Sequence, residues 1–226
     1  MNILGFDCAG KALSSALLTA GGMYYAEACG EQKHSELIMD MADYLLKTAK
    51  ITPKELSAAA CMKGPGSFTG IRIAFSTAKG LSLSLGIPLF SVPTLDCMAY
   101  SCSFFPGIVV PLIDAKKNAY FTALYRGGKA VSPFLDSGAD EIISRIAANI
   151  APGEGIFLTG GEYERILPAL EKAFPGKIAV DVLGNRGRAR ELLNCVKKGM
   201  VMHDGVGTFY EEGPLYIRKS DAELSG

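Results

Sequence analysis

The alternation of apolar and polar positions predicts short strands and longer helices in the first half of the chain. An apolar strand at residues 3–6 ends at Asp7, and two further strands follow, separated by a glycine turn. Apolar residues then recur every three or four positions from Leu37 to Ala49, which is typical of a helix packed on a sheet. The predicted order is strand, strand, strand, helix, strand, helix, strand, helix, at residues 3–6, 13–19, 23–29, 35–49, 58–63, 67–85, 88–92 and 94–103.

The second half repeats this order. Its opening strand, at residues 108–113, ends at Asp114, just as the first strand of the chain ends at Asp7. Helices are predicted near the positions that the repeat requires, at 139–150, 162–174 and 188–199. We therefore predict an α/β protein with a duplicated β-β-β-α-β-α-β-α unit. The expected domains are an N-terminal lobe over residues 1–103 and a C-terminal lobe over residues 104–226, facing one another across a cleft.

The glycine-rich segment at residues 63–72 carries the strongest local signal. It lies between a predicted strand and a predicted helix, so its amides could hold an anion such as phosphate. The Walker pattern for phosphate binding ends in Gly-Lys-Ser/Thr, however, and this segment lacks that ending. We favour a tight structural turn with a serine cap for the helix. The residues of this turn are Gly64, Pro65, Gly66 and Ser67.

The helix that follows is apolar on nearly every side. Between Ile71 and Leu85 its only charged residues are Arg72 and Lys79. Such a helix must be covered on nearly every side, by its own sheet on one face and by a partner on the other. A central helix buried within the monomer is the alternative. The partner is favoured because residues 1–113 carry 16 charged side chains and residues 114–226 carry 30.

Composition and charge narrow the class of protein. The chain has 226 residues, of which 49% are hydrophobic and 20% charged, so it is expected to fold. Its 23 basic and 23 acidic residues cancel, which argues against a protein that binds nucleic acid alone by neutralising phosphates. No apolar run approaches the roughly 20 residues of a membrane span. The chain begins directly with a strand and no leader, so a cytoplasmic protein is expected.

Cysteines and histidines give no metal pattern. The six cysteines form no Cys-x-x-Cys pair, and most lie among apolar residues, so reduced and mostly buried thiols are expected. The two histidines, His34 and His203, form neither a helical metal-binding pair nor the His-Glu-x-x-His motif of metalloproteases. We therefore expect no metal, no cofactor and no peptidase site.

Five motifs in the right order resemble the TsaB (YeaZ) family, a bacterial subunit of the machinery that makes threonylcarbamoyladenosine in tRNA. The most specific motif is the glycine-rich segment, and the resemblance extends over nearly the whole chain. The motifs are the opening strand with Asp7, His34-Ser35-Glu36, the segment 64–72, Asp114-Ala115-Lys116, and the tail Pro214-Leu215-Tyr216-Ile217-Arg218.

This resemblance implies an actin-like (ASKHA, ribonuclease H-like) fold of two lobes, the second one shortened. It also implies a non-catalytic scaffold that binds and stabilises TsaD, the related subunit that transfers a threonylcarbamoyl group to an adenine next to the anticodon. A TsaE-like ATPase joins the assembly, and tRNA is contacted only indirectly, through the complex. Without TsaD, such proteins form homodimers through the same surface.

In the family, the first two helices of the N-terminal lobe contact TsaD. The resemblance therefore places the contact on residues 35–49 and 67–85 of this chain. The candidate interface residues are Leu37, Met41, Leu45, Phe68, Gly70, Ile71, Arg72, Ala74, Phe75, Thr77, Ala78, Gly80 and Leu81.

Active members of the fold bind ATP between the lobes, with phosphate loops at the positions of Asp7 and Asp114. Here Cys8 replaces the threonine usual in the first loop, and the second loop, from Asp114 to Lys117, has no glycine. Both aspartates are therefore expected to be remnants of a nucleotide cleft. A small ATP-binding kinase or ATPase is the alternative, and Gly160-Gly161 could be either an adenosine-side turn or a plain strand-to-helix turn.

Overall fold

The computed structural model describes residues 1–30 and 33–200. His203 and the tail motif at 214–218 lie outside these described residues. In the first half the elements are β1 Ile3–Asp7, β2 Leu13–Thr19, β3 Gly22–Ala28, α1 His34–Ala49, a 3-10 turn Pro53–Glu55, β4 Ala58–Gly64, α2 Phe68–Leu85, β5 Leu89–Pro93 and α3 Thr94–Ser101. In the second half they are β6 Ile108–Asp114, β7 Tyr120–Thr122, β8 Tyr125–Arg126, β9 Lys129–Ala130, β10 Leu135–Ser137, α4 Ala139–Asn149, β11 Ile156–Thr159, α5 Tyr163–Ala173, β12 Ile178–Val180 and α6 Ala189–Lys197.

The first compact unit is built on a five-stranded sheet in the order β3-β2-β1-β4-β5. The central strand β1 pairs antiparallel with β2, with Ile3 opposite Leu18, and parallel with β4, with Ile3 beside Ala58. The pair β2–β3 is antiparallel and the pair β4–β5 is parallel. This is the arrangement that a hairpin followed by right-handed crossover helices produces.

Helices cover both faces of this sheet. On one face, Leu4 and Phe6 of β1 pack in a core with residues of α1 and α2. Because side chains alternate along a strand, Gly5 points to the opposite face. There a Cβ atom at Gly5 would lie 2.8 Å from Leu193 Cδ2, so α6 packs directly on the strand. The first unit is therefore a three-layer α/β/α domain, completed by the last described helix of the chain.

The second compact unit repeats the topology. Its sheet has the order β10-β7-β6-β11-β12, in which β7 and β10 run antiparallel to their neighbours and β6, β11 and β12 are parallel. A small hairpin of β8 and β9 is added beside β6. Buried residues of α4 and α5, such as Ile142 and Ile166, pack against β6 and β11. The predicted duplication is confirmed, and the fold is of the actin-like, ribonuclease H-like class.

The boundaries of the units differ from the lobes expected at 1–103 and 104–226. The first unit comprises residues 1–97 together with the described residues from Arg186 onward, and the second begins at Met98 and ends at Asn185. The return of α6 to the first unit has a physical cause. The last helix of the second repeat buries its apolar side on the first sheet, against Gly5, and so belongs to the first unit.

Candidate functional site

The glycine-rich turn before α2 packs tightly against the loop that follows β1. A Cβ atom at Gly70 would lie 1.9 Å from the carbonyl oxygen of Cys8, and one at Gly66 would lie 2.6 Å from that of Ala9. The amide of Ser67 donates to the Ala9 carbonyl at 2.8 Å. The Ser67 hydroxyl caps the helix by accepting from the Gly70 amide at 3.2 Å. The glycines therefore let two backbone segments meet, which is the function expected of a structural turn.

The inward side of α2 and of α1 is buried by the protein's own sheet. Six of the expected interface residues lie there and are buried in the single chain. The reason is that the stripe of small residues at Gly70, Ala74 and Ala78 faces the sheet, where a flat strand surface accepts it. The six buried residues are Leu45, Gly70, Ile71, Ala74, Phe75 and Ala78.

The other seven expected residues are less buried, and three of them, Leu37, Met41 and Leu81, still pack against the edge of the core. Leu37, Met41, Thr77 and Leu81 are half-buried, whereas Phe68, Arg72 and Gly80 are exposed. The guanidinium of Arg72 lies 3.8 Å from the centre of the Phe68 ring, so its charge covers part of an aromatic surface.

Three exposed apolar residues on these helices were not predicted from the sequence. Tyr44 is 61% exposed, and Met39 and Leu83 are each 50% exposed. A helical wheel centred on the buried residues places Tyr44 and Leu83 away from the sheet, whereas Met39 lies at the edge of the buried side of α1. Together with Phe68 and Gly80 they define what we call the α1–α2 face. It lies on the side of the first sheet opposite to α6.

Asp7, at the end of β1, is buried and bound by the protein's own backbone. Its Oδ1 accepts a hydrogen bond from the Ala9 amide at 2.8 Å, and its Oδ2 accepts one from the Arg188 amide at 2.7 Å. Burial raises the pKa of Asp7, and the two backbone hydrogen bonds oppose this effect without cancelling it. Each oxygen thus accepts a hydrogen bond from a backbone amide of the same unit.

Asp114, the corresponding residue of the second unit, is held by basic side chains. Lys116 binds it through both its amide and its Nζ, each at 2.9 Å, and Arg165 Nη1 lies 3.2 Å from Oδ1. Although burial acts to raise the pKa of Asp114, these hydrogen bonds lower it below its ordinary value. Lys116, Lys117 and Asn118 all have left-handed φ angles, of 62°, 52° and 59°. The carboxylate of Asp114 is thus paired with two basic side chains of its own unit.

The glycine pair after β11, Gly160 and Gly161, packs closely against other segments of the second unit. A Cβ atom at Gly161 would lie 1.4 Å from Asn185 Oδ1, and one at Gly160 would lie 2.1 Å from the Leu112 carbonyl oxygen. The space that these glycines create therefore receives neighbouring segments of the chain. This favours a strand-to-helix turn over an adenosine site.

Two further site types have little support in the described part of the chain. Residues 1–30 and 33–200 contain no cluster of histidine, cysteine or acidic side chains that could hold a metal ion. His34 Nε2 lies 3.3 Å from the Lys11 carbonyl oxygen, as in a surface hydrogen bond. None of the described helices is long and apolar enough to cross a bilayer.

Comparison with known proteins places this geometry in a family. Residues 20–161 match the family model described as TsaD, tRNA N6-adenosine threonylcarbamoyltransferase. The TsaB protein of Bacillus subtilis, named for tRNA threonylcarbamoyladenosine biosynthesis, is 35% identical over 129 residues, which are 56% of this chain and 56% of that protein. A tRNA N6-adenosine threonylcarbamoyltransferase of Nitratidesulfovibrio vulgaris is 28% identical over 158 residues, covering 70% of this chain and 40% of that enzyme.

A solved structure has the same fold over nearly the whole chain. It is that of an uncharacterized Pseudomonas aeruginosa protein described as similar to the peptidase YEAZ, with a TM-score of 0.78 and 22% identity. The alignment covers 96% of this chain and 99% of that one.

The two repeated units define an α/β protein of the actin-like class. Within that class the chain belongs to the TsaD family, and it is similar to the TsaB proteins of tRNA threonylcarbamoyladenosine biosynthesis. The aligned part spans only about half the length of the curated TsaB relative.

Proposed function

We propose that this chain is a non-catalytic subunit in the formation of threonylcarbamoyladenosine next to the anticodon of tRNA. It binds and stabilises a TsaD-like catalytic subunit. Family membership supports the pathway, and the α1–α2 face supports the role of a binding subunit. A TsaE-like ATPase joins the same assembly, and tRNA reaches this chain only through its partners. In the absence of a TsaD-like subunit, a second copy of the chain occupies the face.

The observation that carries the proposal is the character of the α1–α2 face. Aromatic and apolar side chains such as Tyr44 and Leu83 remain exposed although the same helices already bury a full core on the sheet. Gly80 precedes Leu83 by three residues in α2, and a Cβ atom at Gly80 would meet no atom within 4 Å. Exposed apolar anchors around a small residue are suited to close approach of a partner helix.

The phosphate-loop positions support the non-catalytic part of the proposal. Asp7 is occupied by backbone amides, and Asp114 by Lys116 and Arg165. The kinase or ATPase alternative needs these carboxylates available to a nucleotide and its metal ion. Calorimetry of the purified chain with ATP and Mg²⁺ separates the two functions. We expect no heat of binding, and saturable binding that Asp7→Asn abolishes would establish the alternative.

Substitutions on the α1–α2 face test the binding role directly. Leu83→Arg and Gly80→Arg place a charge on the exposed side of α2, and both should abolish co-purification with the TsaD-like subunit. Ala74→Arg is unsuitable as a test, because Ala74 is fully buried and an arginine side chain at this position would unfold the domain. Phe104→Arg is the matched control, because Phe104 is a 75% exposed aromatic residue of the second unit.

The outcomes are distinct. Circular dichroism should show that all three variants remain folded, and only the two on α2 should lose the partner. If Leu83→Arg and Gly80→Arg bind as well as the unmodified chain, the proposed surface is wrong. If Phe104→Arg alone loses binding, the partner contacts the second unit instead.

A further inference from the structure

Three consecutive backbone amides at the start of α6 are each bound by a side chain from a different strand of the first sheet. The acceptors come from β3, β1 and β2 in turn, although they lie 160 to 181 residues away in sequence. The hydrogen bonds run from the Gly187 amide to Glu27 Oε1 at 2.8 Å, from the Arg188 amide to Asp7 Oδ2 at 2.7 Å, and from the Ala189 amide to Ser14 Oγ at 3.0 Å.

This arrangement replaces an ordinary helix cap. Arg188 occupies the N-cap position, and its own side chain makes no capping hydrogen bond. The first amides of a helix lack partners within the helix and carry partial positive charge, so they favour anionic acceptors. Asp7 and Glu27 supply two carboxylates here. The sheet thus provides, from distant positions, the acceptors that a local cap residue would otherwise provide.

Packing around Gly187 makes the contact specific. A Cβ atom at Gly187 would lie 2.4 Å from Ser14 Cβ, so a side chain at this position would push the segment away from β2. The Tyr25 hydroxyl lies 2.6 Å from Glu27 Oε2 and 2.9 Å from the Gly187 carbonyl oxygen. The guanidinium of Arg190 lies 4.8 Å from the centre of the Tyr25 ring. The backbone at the start of α6 is therefore held by hydrogen bonds to the sheet, and the first turn of the helix is held by the contact between Arg190 and Tyr25.

We propose that Asp7, Ser14 and Glu27 are positioning residues that form a clamp for α6, and that release of the clamp frees α6 from the first sheet before the sheet unfolds. A helix of nine residues is marginal in water without tertiary contacts. Loss of the clamp would therefore leave α6 held only by its packing on the sheet and would lower the free energy of its local opening. Asp7, at the position of a phosphate loop in the actin-like fold, acts here on a helix of its own chain.

Hydrogen exchange of the full chain, followed by mass spectrometry, tests the clamp. Glu27→Ala should accelerate exchange in peptides covering 186–200 at least tenfold, and peptides covering β4 should be unchanged. Glu154→Ala is the matched control, because Glu154 also accepts a hydrogen bond from a backbone amide, but in the second unit. It should leave residues 186–200 unaffected. Unchanged exchange at 186–200 in Glu27→Ala would refute the clamp.

Asp7→Ala is the stronger test, since it removes acceptors from both Arg188 and Ala9. If it accelerates exchange equally in β1, β4 and 186–200, release is global and the proposed local opening is wrong. The same measurement with ATP and Mg²⁺ should show no added protection at residues 7–10. Protection there that Asp7→Asn removes would assign Asp7 to a nucleotide and overturn the proposal.

Discussion

Alanine at position 80 should stabilise the isolated chain, whereas alanine at position 70 should disrupt it. Both glycines lie in α2. Glycine in a helix interior is destabilising by roughly 0.5–1 kcal/mol relative to alanine, because it loses more conformational freedom on folding. A Cβ atom at Gly80 meets nothing within 4 Å, so the added methyl group causes no clash. The full gain of about 0.5–1 kcal/mol is therefore expected for Gly80→Ala.

At position 70, the same added methyl group would clash with the backbone of the loop after β1. The Cβ atom would lie 1.9 Å from the Cys8 carbonyl oxygen, a distance that only movement of α2 or of the loop after β1 can relieve. Overpacking in a core typically costs about 1–3 kcal/mol, and a clash with backbone belongs at or above the upper end of that range. Gly70→Ala is therefore expected to lose more stability than Gly80→Ala gains.

Thermal unfolding followed by circular dichroism measures both effects. For a chain of this size, 1 kcal/mol corresponds to about 2–4 °C in Tm, so Gly80→Ala should raise Tm by about 1–4 °C. Gly70→Ala should lower it by several degrees. A Gly80→Ala chain less stable than the unmodified one, or a neutral Gly70→Ala, would refute the assigned packing of α2. Stabilised Gly80→Ala should also bind the partner more weakly, if the partner helix approaches position 80 closely.

Two further predictions concern ionisable groups. Because the pKa of Asp114 is lowered in the folded state, its ionisation contributes stability above the unfolded-state pKa that is lost as pH falls through the folded value. Arg165→Ala should raise the pKa of Asp114 towards its ordinary value in an NMR titration, and an unchanged pKa would show that this arginine is unimportant for it. Among the six cysteines only Cys29 is exposed, so a maleimide should label one thiol in the native chain and six in denaturant. Slight desolvation and the hydrogen bond to the Glu27 carboxylate raise the pKa of the Cys29 thiol, so its labelling should accelerate with pH. A second native thiol of equal reactivity would contradict the assigned burial of the other five cysteines.

Local patterns predicted the element order and the turn at 64–67, because periodicity, glycine and capping residues act over a few positions. The 3-10 turn Pro53–Glu55 also rests on a local interaction, since the Thr52 amide donates a hydrogen bond to Glu55 Oε2 at 2.8 Å. The packing of α6 on the first sheet was not predicted. It depends on Gly5 meeting Leu193, residues far apart in sequence whose contact has no local signature.

The spacing of small residues alone also does not predict which side of α2 faces the sheet. The helix has two stripes of small residues, one containing Ala74 and one containing Gly80, and either could face the sheet. The stripe with hydroxyl groups is the outward one, since Ser76 and Ser84 satisfy their hydroxyls on carbonyls of the preceding turn. The purely apolar stripe is buried. This chemical difference in the sequence was the signal that could have separated the buried residues from the exposed ones.

The central claim is that a TsaD-like subunit docks on the α1–α2 face of the first unit. Hydrogen exchange of this chain, alone and mixed with that subunit, measures where the contact lies. Our account predicts slower exchange in peptides covering 34–49 and 68–85, with peptides of β11 and α5 unchanged. A stable complex that protects only the second unit would contradict the claim.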